Sequence, residues 1–397
     1  MHKRKKRIPV RRFTRFWPLV GCILALSILF LSLHPDKGQS IPHNTKHLGA
    51  VVKAFPRFLR TFIRLKFSAL TPEKEQLTLD SSKNINVYFA PCEPDDKNGL
   101  KSVLEHLLLG ARRSIYCAVY DLEDSDIAEI LINKHKAGTL VRIVSDGDYF
   151  KREAVRTCMK AGIPVVFDTR QAFMHDKFCV VDDEYVWTGS TNFTRNCFYH
   201  NDNNSVLIKS PMLASDYILE FDEMFFDAKF GPRSPCNTSG KIVTFQDAAV
   251  RCYFAPEDKI EDKIASEIRK TDKAIWVMAF SFTSYDLANE LGRLSQRGVD
   301  VQVLLEKRNA ATNESKDRYL ISKGAKVYYD GNPDSMHHKV MVLDSVKVVT
   351  GSYNFSRAAE KENDENVLII ESSQVAQKYV EEFHRLIRSA KIVRENN

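Results

Sequence analysis

Eight cysteines are scattered through the 397 residues with no C-x-x-C pair and no cysteine–histidine group at zinc spacing. That excludes a zinc-ribbon site and a thioredoxin-type redox pair. One of them, Cys22, lies in an apolar run; the other seven are an odd number, and no pairing can be read from their order. The chain has no G-x-S-x-G, so the nucleophile elbow of acyl hydrolases is missing. No carboxylate cluster or histidine pair at ligand spacing demands a metal, and the acidic stretch 121–126 reads as a solvated helix start. Neither a metal nor an organic cofactor is expected. Glycine (16) and proline (14) are modest in number, and 44% of residues are apolar against 27% charged. The chain is therefore no fibre, no disordered tail and no multi-span membrane protein. Basic charge is absent where a nucleic-acid binder would need it. The net +7 conceals fifteen Lys/Arg against Asp36 alone in residues 1–70, and an excess of seven acids in residues 71–397. The body is faintly acidic.

What is present begins at the N-terminus. Eight bases (Lys3, Arg4, Lys5, Lys6, Arg7, Arg11, Arg12, Arg15) precede a charge-free run from Phe16 to Pro35. At 1.5 Å per residue that run just spans a bilayer core. The alternatives are an uncleaved signal anchor, favoured because no small-x-small site follows Leu33, and a cleaved signal peptide that would leave a secreted protein. The bases before the span place the N-terminus in the cytoplasm and the body outside it. In 51–67, Val51, Phe55, Phe58, Leu59, Phe62 and Ile63 recur at helical spacing between Lys53, Arg57, Arg60 and Arg64. This is either an interfacial helix or a linker helix packed on the body.

From about residue 84 the chain reads twice. Val87-Tyr88-Phe89-Ala90-Pro91 returns as Cys252-Tyr253-Phe254-Ala255-Pro256, and the apolar run 115–120 returns at 275–280. Asp126, Ala128 and Leu131 return as Asp286, Ala288 and Leu291; Gly138 with Val141 returns as Gly298 with Val301. Each copy alternates strand-like runs with amphipathic helical stretches, which predicts α/β layers. The division is a basic N-terminus and anchor (1–35), a basic amphipathic linker (36–83), a first repeat (84–230), a Gly/Pro/Ser-rich linker (231–246) and a second repeat (247–397). A pseudo-two-fold pair in one chain needs no partner subunit, and its interface is where a site is expected.

The repeated residues that carry chemistry are His175-x-Lys177, Asp182 and Gly189-Ser190-x-Asn192, then His337-x-Lys339, Asp344 and Gly351-Ser352-x-Asn354, at identical spacing. Six fixed identities recur by chance about once in 10⁸ start positions. Strands are expected over 178–181 and 339–343, with tight turns at Asp182-Asp183 and Asp344-Ser345. Strand parity puts each histidine and its lysine on one side and each aspartate on the other, so Asp182 and Asp344 hold turns. Register with Lys339 favours His337 over His338 for the site. Two imidazoles, two ammonium groups, two carboxamides and two hydroxyls suit a phosphodiester. Lys177, Lys339, Asn192, Asn354, Ser190 and Ser352 would surround the non-bridging oxygens. One imidazole would attack phosphorus, and the other would protonate the leaving oxygen and then activate water. Phe221, Phe225, Phe226 and Trp276 are expected in the core.

These doubled H-x-K-x4-D and G-S-x-N motifs resemble the phospholipase D superfamily, the HKD phosphodiesterases, over roughly residues 84–370. The resemblance implies mixed sheets flanked by helices, a site between the halves, a metal-independent two-step mechanism, and His175 as nucleophile with His337 as acid/base. It also implies an acidic residue some ten positions after each Asn that orients a histidine. Eleven on from Asn354 is Glu365; eleven on from Asn192 is Asn203, so either Asp202 substitutes or the first half has no such orienter.

The family admits phospholipid hydrolysis, cardiolipin-synthase-like phosphatidyl transfer and cleavage of single-stranded DNA or RNA. The compact copies resemble its nuclease-like and cardiolipin-hydrolase-like branches. The acidic body and the anchor favour a membrane phospholipid, whereas a basic groove of Arg112, Arg113, Arg142, Lys151 and Arg152 would favour nucleic acid. A non-enzymatic phosphate- or lipid-binding scaffold would need the lysines and asparagines but not two imidazoles.

Overall fold

The computed structural model describes residues 84–393; the expected anchor and the 51–67 helix lie outside them. The first repeat runs β1 (Ile85–Ala90), α1 (Leu100–Gly110), β2 (Ser114–Val119), α2 (Ser125–Lys136), β3 (Leu140–Asp146), α3 (Glu153–Lys160), β4 (Val165–Asp168), β5 (Lys177–Val181), β6 (Tyr185–Gly189), α4 (Arg195–Tyr199), β7 (Asn203–Lys209) and α5 (Pro211–Asp227). The second opens with a short edge strand, β8 (Val243–Thr244). It continues through β9 (Ala249–Ala255), α6 (Ile260–Ile268), β10 (Ala274–Ala279), α7 (Tyr285–Gln296), β11 (Asp300–Leu305), α8 (Lys307–Ala310), α9 (Asp317–Ser322), β12 (Lys326–Tyr329), β13 (Lys339–Leu343), β14 (Lys347–Gly351), α10 (Arg357–Lys361), β15 (Glu365–Glu371), α11 (Ser373–Ile387) and β16 (Lys391–Val393).

The strand order is β1-β7-β6-β5-β2-β3-β4 in the first sheet and β16-β12-β11-β10-β13-β14-β15-β9-β8 in the second. Apart from the added edges β8 and β16, the two orders are the same. In each, three strands joined by helical crossovers run parallel and the rest pair antiparallel. Strand β2, Ser-Ile-Tyr-Cys-Ala-Val, is buried at every position. A central strand covered on both faces reads as a continuous apolar run for that reason. Helix α2 starts where the Asp124 carboxylate accepts from the amides of Asp126 and Ile127, buries Ile127, Ala128, Leu131 and Ile132, and ends with Lys134, His135 and Lys136 against its negative pole.

The core is layered. Outer helices α1, α2 and α3 cover one face of the first sheet, and α6, α7 and α9 one face of the second. Between the sheets lies a shared cluster that includes Tyr217 and Phe221 of α5, Tyr379 and Phe383 of α11, and inward residues of both sheets, such as Phe178 and Val340. The order is helix, sheet, helix pair, sheet, helix. The halves therefore share one continuous interior, which is what brings their histidines together. Phe221 is buried here, with Phe225 and Trp276 packed against the same cluster; Phe226 stacks under the Arg142 guanidinium at 4.8 Å.

Cys117 of β2 and Cys179 of β5 stand opposite one another and form a disulfide. Cys22 lies outside the described residues, and the other five cysteines are free.

Candidate active site

The turn after each motif strand is built by its aspartate. Asp182 takes φ +55°, and its carboxylate accepts from the backbone amides of Arg112, Arg113 and Ser114 at 2.6–3.1 Å. Asp344 takes φ +52° and accepts from Asp272, Lys273 and Ala274 at 2.8–3.0 Å. Both lie at the far end of their strands from the lysines. Left-handed backbone is tolerated by Asp at low cost, and three amides that would otherwise be orphaned are satisfied. The two aspartates are hairpin residues, remote from the histidines.

At the other end of the hairpins, His175 and His337 are held across the repeat boundary. The His175 amide donates to Asp364 O (2.9 Å) and that of His337 to Asp202 O (2.8 Å). His175 Nδ1 lies 2.8 Å from Glu365 Oε2. His337 Nδ1 lies 2.8 Å from Asn203 Oδ1 and 3.1 Å from Ser190 O. Asn203 Oδ1 and Ser190 O can only accept, so His337 carries its proton on Nδ1; His175 does the same toward the ionised Glu365, and Nε2 is then the basic nitrogen of both rings. Each imidazole is thus completed by the other repeat. Tyr120 packs edge-on against His175 at 4.9 Å, and Phe280 against His337 at 4.7 Å.

Asp202 does not substitute for the missing acid. Its carboxylate is turned to Arg385 (2.7 Å) and Asn332 (2.6 Å), and only its backbone reaches His337. The orienter is Asn203, the residue in register with Glu365. A second correction concerns the serines. Ser190 and Ser352 are fully buried, and their hydroxyls donate to Asn203 Oδ1 (2.9 Å) and Glu365 Oε2 (2.6 Å). Each has only one hydrogen to give, so they fix the histidine partners and do not face a phosphate. His338 points away, bonding Asn204 (3.0 Å) and Glu382 (3.1 Å).

Lys177 and Lys339 are buried, each folded back onto the carbonyl of its own histidine. They lie 4.9 Å over the Tyr120 ring and 4.7 Å over the Phe280 ring. Burial pulls Lys177 down to about 8, opposed by Glu365, and holds Lys339 well below its ordinary value, with Lys177 adding to the effect. Burial, with both lysines, keeps the two imidazoles far below theirs. Burial pushes Glu365 up to about 8 against the pull of Lys177. Two ammonium groups and two imidazoles in one desolvated space create a demand for an anion. The carboxamide oxygens of Asn192 and Asn354 are buried and receive no hydrogen bond from any described residue.

Of the five bases that would line a nucleic-acid groove, Arg112 and Arg113 are at the Asp182 turn, Arg142 is over Phe226, Lys151 lies over the Phe150 ring at 5.4 Å, and Arg152 is paired with Asp121 (2.7 Å) and Glu123 (3.2 Å).

A family model described as cardiolipin synthase, PLD-like domain, matches residues 104–225 and again 264–387. A phospholipase D of Rickettsia conorii is 35% identical over 132 residues, 33% of this chain and 66% of that one. A mitochondrial cardiolipin hydrolase of Homo sapiens is 37% identical over 107 residues, 27% of this chain and 42% of that one. The chain thus spans less than two thirds of either relative. Among solved structures, the phosphatidylserine synthase of Haemophilus influenzae superposes with a TM-score of 0.62 over 85% of this chain and 92% of its own; at 15% identity the likeness is one of fold. Since the one family model accounts for more than half of the residues, and does so once in each repeat, the chain belongs to the phospholipase D-like family.

Proposed function

We propose that the protein is a phospholipase D-type phosphodiesterase acting on a membrane phospholipid without a metal at the reacting centre. His175 Nε2 attacks phosphorus as the bond to the leaving oxygen breaks; His337, which takes up a proton at Nε2 when the anionic phosphate enters beside the lysines, gives that proton to the oxygen. Lys177, Lys339, Asn192 and Asn354 hold the non-bridging oxygens. His337 then takes a proton from water, which displaces His175 and releases the phosphate product; an alcohol in place of water gives transfer instead of hydrolysis. The observation that carries the reading is the pair of imidazoles, each with Nδ1 committed to an acceptor of the opposite repeat. A scaffold that only bound phosphate would have no use for two such bases. The names of the relatives, phospholipase D and cardiolipin hydrolase, support a lipid substrate. The pairing of Arg152 with Asp121 and Glu123, and the faintly acidic body, speak against nucleic acid. Residues 1–35 are proposed as the membrane anchor with the body outside the cytoplasm, a placement that a buried disulfide supports.

The test is the full chain in detergent, assayed on anionic and zwitterionic vesicles and on single-stranded DNA and RNA. Head-group release that falls at least about 10³-fold in His175→Asn, with alkali-stable, acid-labile trapping of the lipid phosphoryl group on wild type, is expected. Cleavage of nucleic acid alone would move the same residues to a nuclease, and no turnover of either would leave a binding protein.

A further inference from the structure

From His175 to the end of α5, every residue has its counterpart 162 positions later. That shift exposes a difference in buried charge. In the second repeat Glu382 of α11 bonds His338 (3.1 Å) and Arg385 (2.7 Å), and Arg385 also bonds Asp202 (2.7 Å). In the first repeat Glu220 occupies the place of Glu382, but Asp176 stands for His338 and Glu223 for Arg385. Both groups that hydrogen-bond Glu382 in the second half are replaced by acids. Glu257, which follows β9 of the second repeat, adds a third carboxylate: one oxygen from each of Glu220, Glu223 and Glu257 lies within 4.8 Å of the others.

The cluster has a feature that acidic clusters ordinarily lack. Glu220 is 1% exposed, and no described amide, hydroxyl or cation reaches either of its oxygens. The Asn237 carboxamide donates to Glu223 at 2.9 Å, while its own buried oxygen has no partner. The group Glu105, Asp124 and Asp126 shows the contrast, because Lys101 sits among its oxygens at 2.5–3.4 Å.

We propose that Glu220, Glu223 and Glu257 bind a divalent cation of the calcium type in a site bridging α5 to the start of the second repeat. The donors are all oxygen, as a hard cation requires, and oxygens within 4.8 Å of one another are close enough for all three to reach one ion at calcium–oxygen distances of about 2.3–2.6 Å. The ion takes no part in the reaction. It takes the place beside Glu220 that His338 and Arg385 take beside Glu382 in the second half, and it ties the two repeats together.

The experiment is calorimetric titration of the EDTA-stripped, desalted full chain with calcium chloride, with the thermal midpoint followed in parallel. One saturable calcium per chain and a midpoint that rises with calcium are expected. Glu257→Gln and Glu223→Gln should each weaken binding at least ten-fold, while Glu105→Gln leaves it unchanged. No saturable heat and no shift up to about 10 mM calcium would overturn the proposal, the weakest range known for protein sites being about 1 mM. Full binding in Glu257→Gln, or its loss in Glu105→Gln, would overturn it equally. If a glutamine variant fails to fold, the wild-type titration beside Glu105→Gln decides.

Discussion

At His337 a carboxamide stands where His175 has a carboxylate, and this sets the two rings apart. Either oxygen fixes the tautomer, but only the carboxylate also stabilises the imidazolium. Asn203→Asp is expected to raise the pKa of His337 by about one unit, read by NMR titration of its ring, and Asn203→Leu to lower kcat about 10–100-fold with the fold intact. The position was legible only by counting. Eleven residues after Asn192 is the right place, but a search for charge moves one residue back to Asp202, whereas the geometry asks only for an acceptor oxygen. The serines were misplaced for a related reason: a hydroxyl beside a phosphate motif looks like a donor to substrate until its own strand partner is known. Lys177, held down to about 8, gives a further expectation. It is charged below that pH and neutral above it, so inhibition by a dialkyl phosphate, whose own charge is constant over the range, should weaken as pH rises through about 8. A flat inhibition constant from pH 6 to 9 would show that Lys177 does not hold the anion.

At the scale of elements, the hairpin β5–β6 and its copy β13–β14 were readable as strand, turn and strand because alternation and a left-handed Asp turn are local properties. Sheet neighbours are not local. That β2 lies beside β5, with Cys117 opposite Cys179, follows from a pairing across 62 residues that no count of cysteines reveals. The second repeat has Val277 opposite Met341 at the same point. Exchanging Cys117→Val with Cys179→Met therefore keeps the packing and removes the cross-link. Loop-closure entropy sets the expected loss at up to about 4 kcal/mol, measured by urea unfolding against wild type, with activity of the folded protein retained. Asp182→Ala separates turn from chemistry in the same way. Three amides lose their acceptor, so stability should fall by about 1–3 kcal/mol while kcat of the folded fraction is unchanged. A collapse of kcat with stability unaltered would return Asp182 to the reacting centre.

At the scale of the molecule, duplication, layer type and a site between the halves were all visible in the repeated motifs, since a constant spacing survives whatever the strands do. The exchange of partners between repeats was not visible, because both Glu365 and Asn203 lie nearer in sequence to the histidine they do not serve. As both halves sit in one chain, mixing His175→Asn protein with His337→Asn protein should restore no activity; recovery would mean that halves trade between molecules. The joining also has a consequence for the substrate. Two identical subunits around a two-fold axis would present the same face to either end of a phosphodiester, and the molecule could enter either way round. A single chain with glutamate behind one imidazole and asparagine behind the other has no such freedom. For the reaction proposed above, that gives the site a polarity: one ester oxygen is always the one expelled, and which side of the phosphate is cut becomes a property written into the fold.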